Sequence, residues 1–342
     1  MDRRAPTGRA LTDGRALTDR RARIDRAGAD RRAGADAPAG IDDPAGIVGE
    51  PIGHLAPYGP ASEAWRLNRE ALLLLGAGPR ALLMQIAHPL VAEGVDQHSN
   101  FRVDPWARLA ATLRRYLAIV YGTEAAALAE IQRLNALHNR VAGPVRDEVA
   151  RAVAGARYTA RDPALSLWVH ATLIDSTLVA YDAWIEPLPP DRRARFYAET
   201  RPVGLAFGIP DALLPVDLEA FETYMTRMLA PDGPIVVTPT ARALAATILH
   251  PPLGPLAPGL RPLLERIPPS VYDWTMWPAL ELLPSRLRDG FGVPGTPMRR
   301  AVSRWLVAGW RAWRPLIPTS LRWMPQALAG DRRVGERGGD PP

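Results

Sequence analysis

Cysteine and lysine are both missing from the 342-residue chain. Without cysteine there is no disulfide framework, thiolate metal site, Fe–S cluster or cysteine nucleophile. Without lysine there is no Schiff-base chemistry and no lysine-bearing phosphate loop. All 42 basic residues are Arg, set against 36 acidic ones, for a net charge of +6. The excess is modest and no Arg-rich block tracks phosphates, so no nucleic-acid partner is expected. Strand-like alternation is nearly absent, Ile235-Val236-Val237 being the one candidate. No apolar run reaches the length of a membrane span without an interrupting charge. A Gly-x-Ser-x-Gly elbow is missing, as are His-x-x-x-His and Glu-x-x-His pairs, which argues against serine hydrolases, metal hydrolases and di-iron sites.

What is present suits a folded protein. A hydrophobic fraction of 47% with 23% charge can bury a sizeable core, and Trp (10) outnumbers Tyr (8) and Phe (5). Residues 1–45 are the exception. The hexapeptide Gly8–Asp13 recurs at once as Gly14–Asp19, and Arg alternates with eight Asp and hardly any large apolar residue. Burial there cannot offset the entropy of ordering, so a disordered extension is expected. Its acidity does not suit a secretory signal or a transit peptide.

From Ala61 onward the pattern is helical. Ala64, Leu67, Ala71 and Leu74 recur at three- and four-residue spacings; a break is expected at Gly76–Pro79, and Leu82, Leu83, Ile86 and Leu90 resume the face. Asp104-Pro105, Thr123 and Asp162-Pro163 read as caps of helices to about Tyr121, His138 and Trp184. Further helices are expected over 190–207, 216–229, 240–249 and 299–313. Pro-rich connectors at 251–262 and 268–269 join helices without dividing domains. The expected fold is all-α, with one helical domain over 46–325 and a disordered tail over 326–342. The string Gly290-Phe291-Gly292-Val293-Pro294-Gly295 matches a dinucleotide fingerprint only formally. It follows no strand, and Pro294 removes a donor that a phosphate would use.

Six His are the main candidates for chemistry. His54 and His250 lie in loop-like surroundings. His170 sits in the long apolar run after Pro163, where an unsatisfied ring nitrogen costs about 1–3 kcal/mol. It is either a core His bonded to a neighbour or a metal or haem ligand. His138 falls at a helix end, where it could stabilise the last carbonyls; Arg133, five residues earlier, is off its stripe. His88 precedes Pro89, and a non-haem site from His88, His98 and Asp96 would need them to converge.

Ordered blocks then carry a family resemblance. They are Gln85–Pro89; His98–Phe101 with Asp104-Pro105, Arg108 and Thr112; His138–Gly143; Tyr158–Ala160 with Asp162-Pro163; Trp168–Thr172; then Tyr181, Leu214-Pro215 and 221–229. In this order they resemble the catalytic domain of the ER-bound oxygenase MpaB and rubber oxygenase (latex clearing protein) family, most closely over 60–230. The resemblance implies an all-helical domain around one b-type haem, with dioxygen used to cleave C=C bonds of isoprenoid chains. It implies His170 as axial iron ligand, with His138 and Arg133 as catalytic residues on the helix facing the other side of the haem. Arg108, His88 and Tyr158 fall on blocks expected to line the cofactor, and Arg108 or Arg133 would pair with a propionate. Latex clearing proteins carry a distal Lys that this chain lacks, so a smaller apolar or prenylated substrate is expected. A haem-binding or haem-sensing protein without turnover is the alternative. The expected location is cytoplasmic. The Trp- and Arg-rich stripe over 299–313 is expected to pack on the core, with weak peripheral membrane contact as its other reading.

Overall fold

The computed structural model describes residues 58–99, 104–249 and 276–338. The 1–45 extension, His54, His250, Asn100-Phe101 and the Pro-rich connectors lie outside the described residues. Within them the chain is mostly helical. Helix α1 (Glu63–Asn68) is capped by Ser62, and α2 (Ala71–Ile86) leads into α3 (Pro89–His98). The Asp104 and Thr123 side chains each accept an orphan backbone N–H to start α4 (Pro105–Tyr121) and α5 (Glu124–His138). A two-stranded antiparallel ribbon, β1 (Ala142–Pro144) and β2 (Arg157–Thr159), brackets α6 (Glu148–Ala154) and sets Gly143 opposite Tyr158. Helix α7 (Pro163–Trp184) starts at the Asp162 cap. Then follow α8 (Pro190–Ala206), α9 (Leu218–Leu229), α10 (Pro239–Leu249), α11 (Ser285–Gly290), α12 (Pro297–Trp313), α13 (Thr319–Arg322) and α14 (Pro325–Gly338).

The core is built on the pair α2 and α7. Both are apolar on most sides, so packing decides their course. Gly76–Pro79 does not break the chain, contrary to expectation: α2 runs through it with Pro79 inside. At Gly76 a Cβ would meet the Trp184 ring at 2.5 Å, so the missing side chain admits the indole. Trp168 is fully buried and donates its indole N–H to the Met84 carbonyl at 3.2 Å. Buried Arg80 crosses the pair, bound to Asp175 (2.7 Å), Ser176 (2.8 Å) and the Leu282 carbonyl (2.8 Å). Asp175 and Ser176 therefore hold a buried cation. Helix α7 is long and apolar enough to cross a membrane, despite the charge within it, but most of that stretch is packed inside the protein.

Two further expectations, the strand candidate and the loose chain end, change. Ile235–Val237 forms no strand; a single bond runs from Val236 N–H to the Ala87 carbonyl. The Gly290–Gly295 string closes α11: Gly292 takes φ 74° and Val293 N–H returns to the Arg288 carbonyl, a left-handed helix stop. The chain end beyond Gln326 is helical and docked as far as the described residues run. Trp65 donates to Asp331 at 2.9 Å, Ala327 is buried, and Arg333 donates to the Tyr121 carbonyl. Buried Glu70 receives Arg314 (3.0 Å) and Arg322 (3.4 Å), which fastens α12 and α13 to the start of α2.

Candidate functional site

His170 lies midway along α7, facing α8. Its ring is held neutral, pushed down to about 4 by burial and only partly offset by a hydrogen bond with the Thr200 carbonyl. Nε2 is sealed from solvent and has no hydrogen-bond partner. Gly204 of α8 stands against this edge; a Cβ there would lie 3.1 Å from Nε2 and 3.0 Å from the Leu214 side chain. The orphaned lone pair suits a metal, and Gly204, which brings no side chain against it, leaves the position beside it unfilled.

His138 ends α5, beside the first turns of the antiparallel partner α4. Burial first, and then the Arg108 cation, hold it below the ordinary histidine range, so it is a neutral imidazole next to a positive charge. Arg108 is braced by Thr112 Oγ1 at 2.7 Å and Ser99 Oγ at 3.3 Å. Leu109 and Leu137, apolar neighbours at the same end of the helix pair, are exposed. The α4–α5 end thus combines an imidazole and an oriented guanidinium. The bracing by Thr112 had a sequence signal in its four-residue spacing from Arg108. The sequence held none for Gly204, which matters through what packs against it.

Arg133 is not part of this group. Five residues from His138 is about 140° around a helix, and Arg133 is exposed and paired with Glu130. Arg108 replaces it as the cation beside His138. His88 is likewise a structural residue: its Nδ1 accepts the Leu90 N–H at 3.2 Å and caps α3, and burial pushes the ring down to about 4. Tyr158 is buried in the ribbon against α3, edge-on to His98 at 6.2 Å, its hydroxyl without a partner. Among the described residues no three His, Asp or Glu side chains converge as a metal site, so His88, His98 and Asp96 do not form one.

Comparison with known proteins adds a family. The domain described as the ER-bound oxygenase mpaB/B'/rubber oxygenase catalytic domain matches residues 65–315. An uncharacterised protein of Mycobacterium tuberculosis, Rv2237, and its counterpart Mb2261 of Mycobacterium bovis are each 29% identical over 157 residues. The match covers 44% of this chain and 58% of theirs. No solved structure matches. For the haem that the resemblance implies, His170 offers an orphaned neutral donor beside a glycine. His138 adds a second neutral imidazole with Arg108 adjoining it, and these residues fit the group.

Proposed function

Since the chain belongs to the MpaB and rubber oxygenase catalytic-domain family, we propose that it is a haem-dependent oxygenase acting with dioxygen on an apolar substrate, such as an isoprenoid alkene. The match over residues 65–315 carries this reading. The buried, partnerless Nε2 of His170 supports a place for it. Haem b, when bound, would supply dioxygen binding and activation at iron. His170 would hold the iron, since a neutral imidazole keeps its lone pair free for a metal, and His138 would be a second neutral imidazole beside Arg108. Arg108, oriented by Thr112 and Ser99, suits the planar carboxylate of a propionate.

Purified protein, supplied with haem during expression, should show a Soret band and take up oxygen on addition of an isoprenoid alkene. His170→Ala should lose the Soret band, whereas His138→Ala should keep it. The reverse pattern would move the iron to His138. A Soret band without oxygen uptake would mean haem binding without turnover. No Soret band in the unaltered protein would refute the haem reading.

A further inference from the structure

The C-terminal segment carries an apolar face turned away from the protein. Helix α12 buries only Ser303 fully, and its inner side holds half-buried Val302, Val307 and Trp310. Its outer side exposes Trp305 (74%) and Trp313 (66%), and the patch continues through Leu316 (72%) and Leu321 (76%). At about 100° per residue, Ala308, Ala301, Ala312, Trp305 and Met298 form one continuous arc, and Trp313, exposed at the helix end, lies about 60° beyond Met298. Arg300, Arg304 and Arg311 form a strip along the border between this arc and the side that meets the protein. The packing expected for Trp305 and Trp313 is therefore not what the fold provides.

Charge narrows the choice of occupant. No acidic residue occurs between Asp289 and Asp331, while six Arg do: 299, 300, 304, 311, 314 and 322. Arg314 and Arg322 are taken up by Glu70, and Arg299 lies over the Trp277 ring. Arg304 and Arg311 have no acidic partner among the described residues. A second copy seated on this face would bring the same cations against them, because a twofold interface matches a patch with itself. An exposed apolar face with Trp305 and Trp313, bordered by Arg that have no acidic partner among the described residues, has instead the chemistry of a helix lying in a bilayer interface.

We propose that α12 and the segment to Leu321 form a docking surface for an anionic lipid bilayer. Trp305, Trp313, Leu316 and Leu321 enter the boundary between headgroups and acyl chains, and Arg304 and Arg311 meet anionic headgroups. The site is independent of the oxygenase reading.

Flotation of the full chain with vesicles tests it. The protein should float with phosphatidylcholine vesicles containing phosphatidylglycerol at low salt, and poorly with phosphatidylcholine alone. Arg304→Gln with Arg311→Gln should weaken the partition about thirtyfold, at about fivefold per lost Arg. Trp305→Ser with Trp313→Ser should reduce it to the level of neutral vesicles. Circular dichroism and melting should match the parent, because these side chains are exposed. In the unaltered protein, brominated acyl chains should quench part of the Trp emission. The proposal falls if no flotation occurs at low salt, if both double variants float like the parent, or if bound protein is not quenched. It also falls if the face instead drives a concentration-dependent dimer that the Trp variant dissolves.

Discussion

Helices α7 and α12 are both long, tryptophan-bearing and rich in apolar residues, yet they meet opposite fates. Helix α7 is apolar nearly all round, and neighbours cover it on most sides, with Trp168 and Trp184 buried. Helix α12 is apolar over one arc only, and that arc faces outward; its attachment to the body includes Arg314 and Arg322 on Glu70. Apolar content alone therefore does not tell which face of a helix is buried. One region is held by packing of interlocked rings, the other in part by a buried carboxylate shared between two guanidinium groups.

The contrast can be broken most forcefully in the core. Trp168→Ala should cost about 3–5 kcal/mol, since it opens a large cavity and strands the Met84 carbonyl; denaturant unfolding measures it. Glu70→Ala should cost about 3–4 kcal/mol by leaving two largely buried cations without their anion. In contrast with Trp168→Ala, it should raise proteolysis first around α12–α14.

Acid should also weaken the packed core. His88 and His170 are pushed down to about 4 in the folded state against an ordinary 6.5. Between these values the unfolded chain binds protons that the folded chain refuses, so stability rises with pH there. The contribution is complete above pH 6.5 and is lost as pH falls towards 4, by at most about 3 kcal/mol per ring. His88→Asn, which keeps a cap acceptor, combined with His170→Gln should flatten the melting-temperature slope across that window.

Smaller effects sharpen the comparison. Gly76→Ala should cost about 1–3 kcal/mol, because its Cβ would press on the Trp184 ring. Trp305→Ala removes an indole of the same size as that of Trp168, yet should change unfolding free energy by no more than about 0.5 kcal/mol. A cost comparable with that of Trp168→Ala would show that something covers this face.

Much of the fold was legible locally. Asp104-Pro105, Thr123 and Asp162-Pro163 each open the helix that their cap chemistry indicates, because a cap acts over three residues. Gly76–Pro79 misleads for a nonlocal reason: the ring that needs the glycine comes from Trp184, more than a hundred residues away. The chain end looked loose because its polar composition hides two anchors, Asp331 on Trp65 and Arg333 on Tyr121. At the candidate site the residue types were visible, but their grouping was not. The resemblance paired His138 with Arg133, although the spacing set Arg133 off its stripe, and α4 had to fold back on α5 for Arg108 to reach His138.

By itself, the sequence determined a helical chain without thiol or lysine chemistry, its main helix starts, its candidate histidines and its likeness to an oxygenase family. These follow from side-chain chemistry, short-range periodicity and the order of motifs. Tertiary structure alone decided that Nε2 of His170 is buried without a partner beside Gly204, that Arg108 rather than Arg133 attends His138, and that Trp305 of α12 points outward. Each depends on contacts between residues far apart in the chain. A buried nitrogen, a shared cation and an uncovered face are properties of the packing between elements, and no single element carries them.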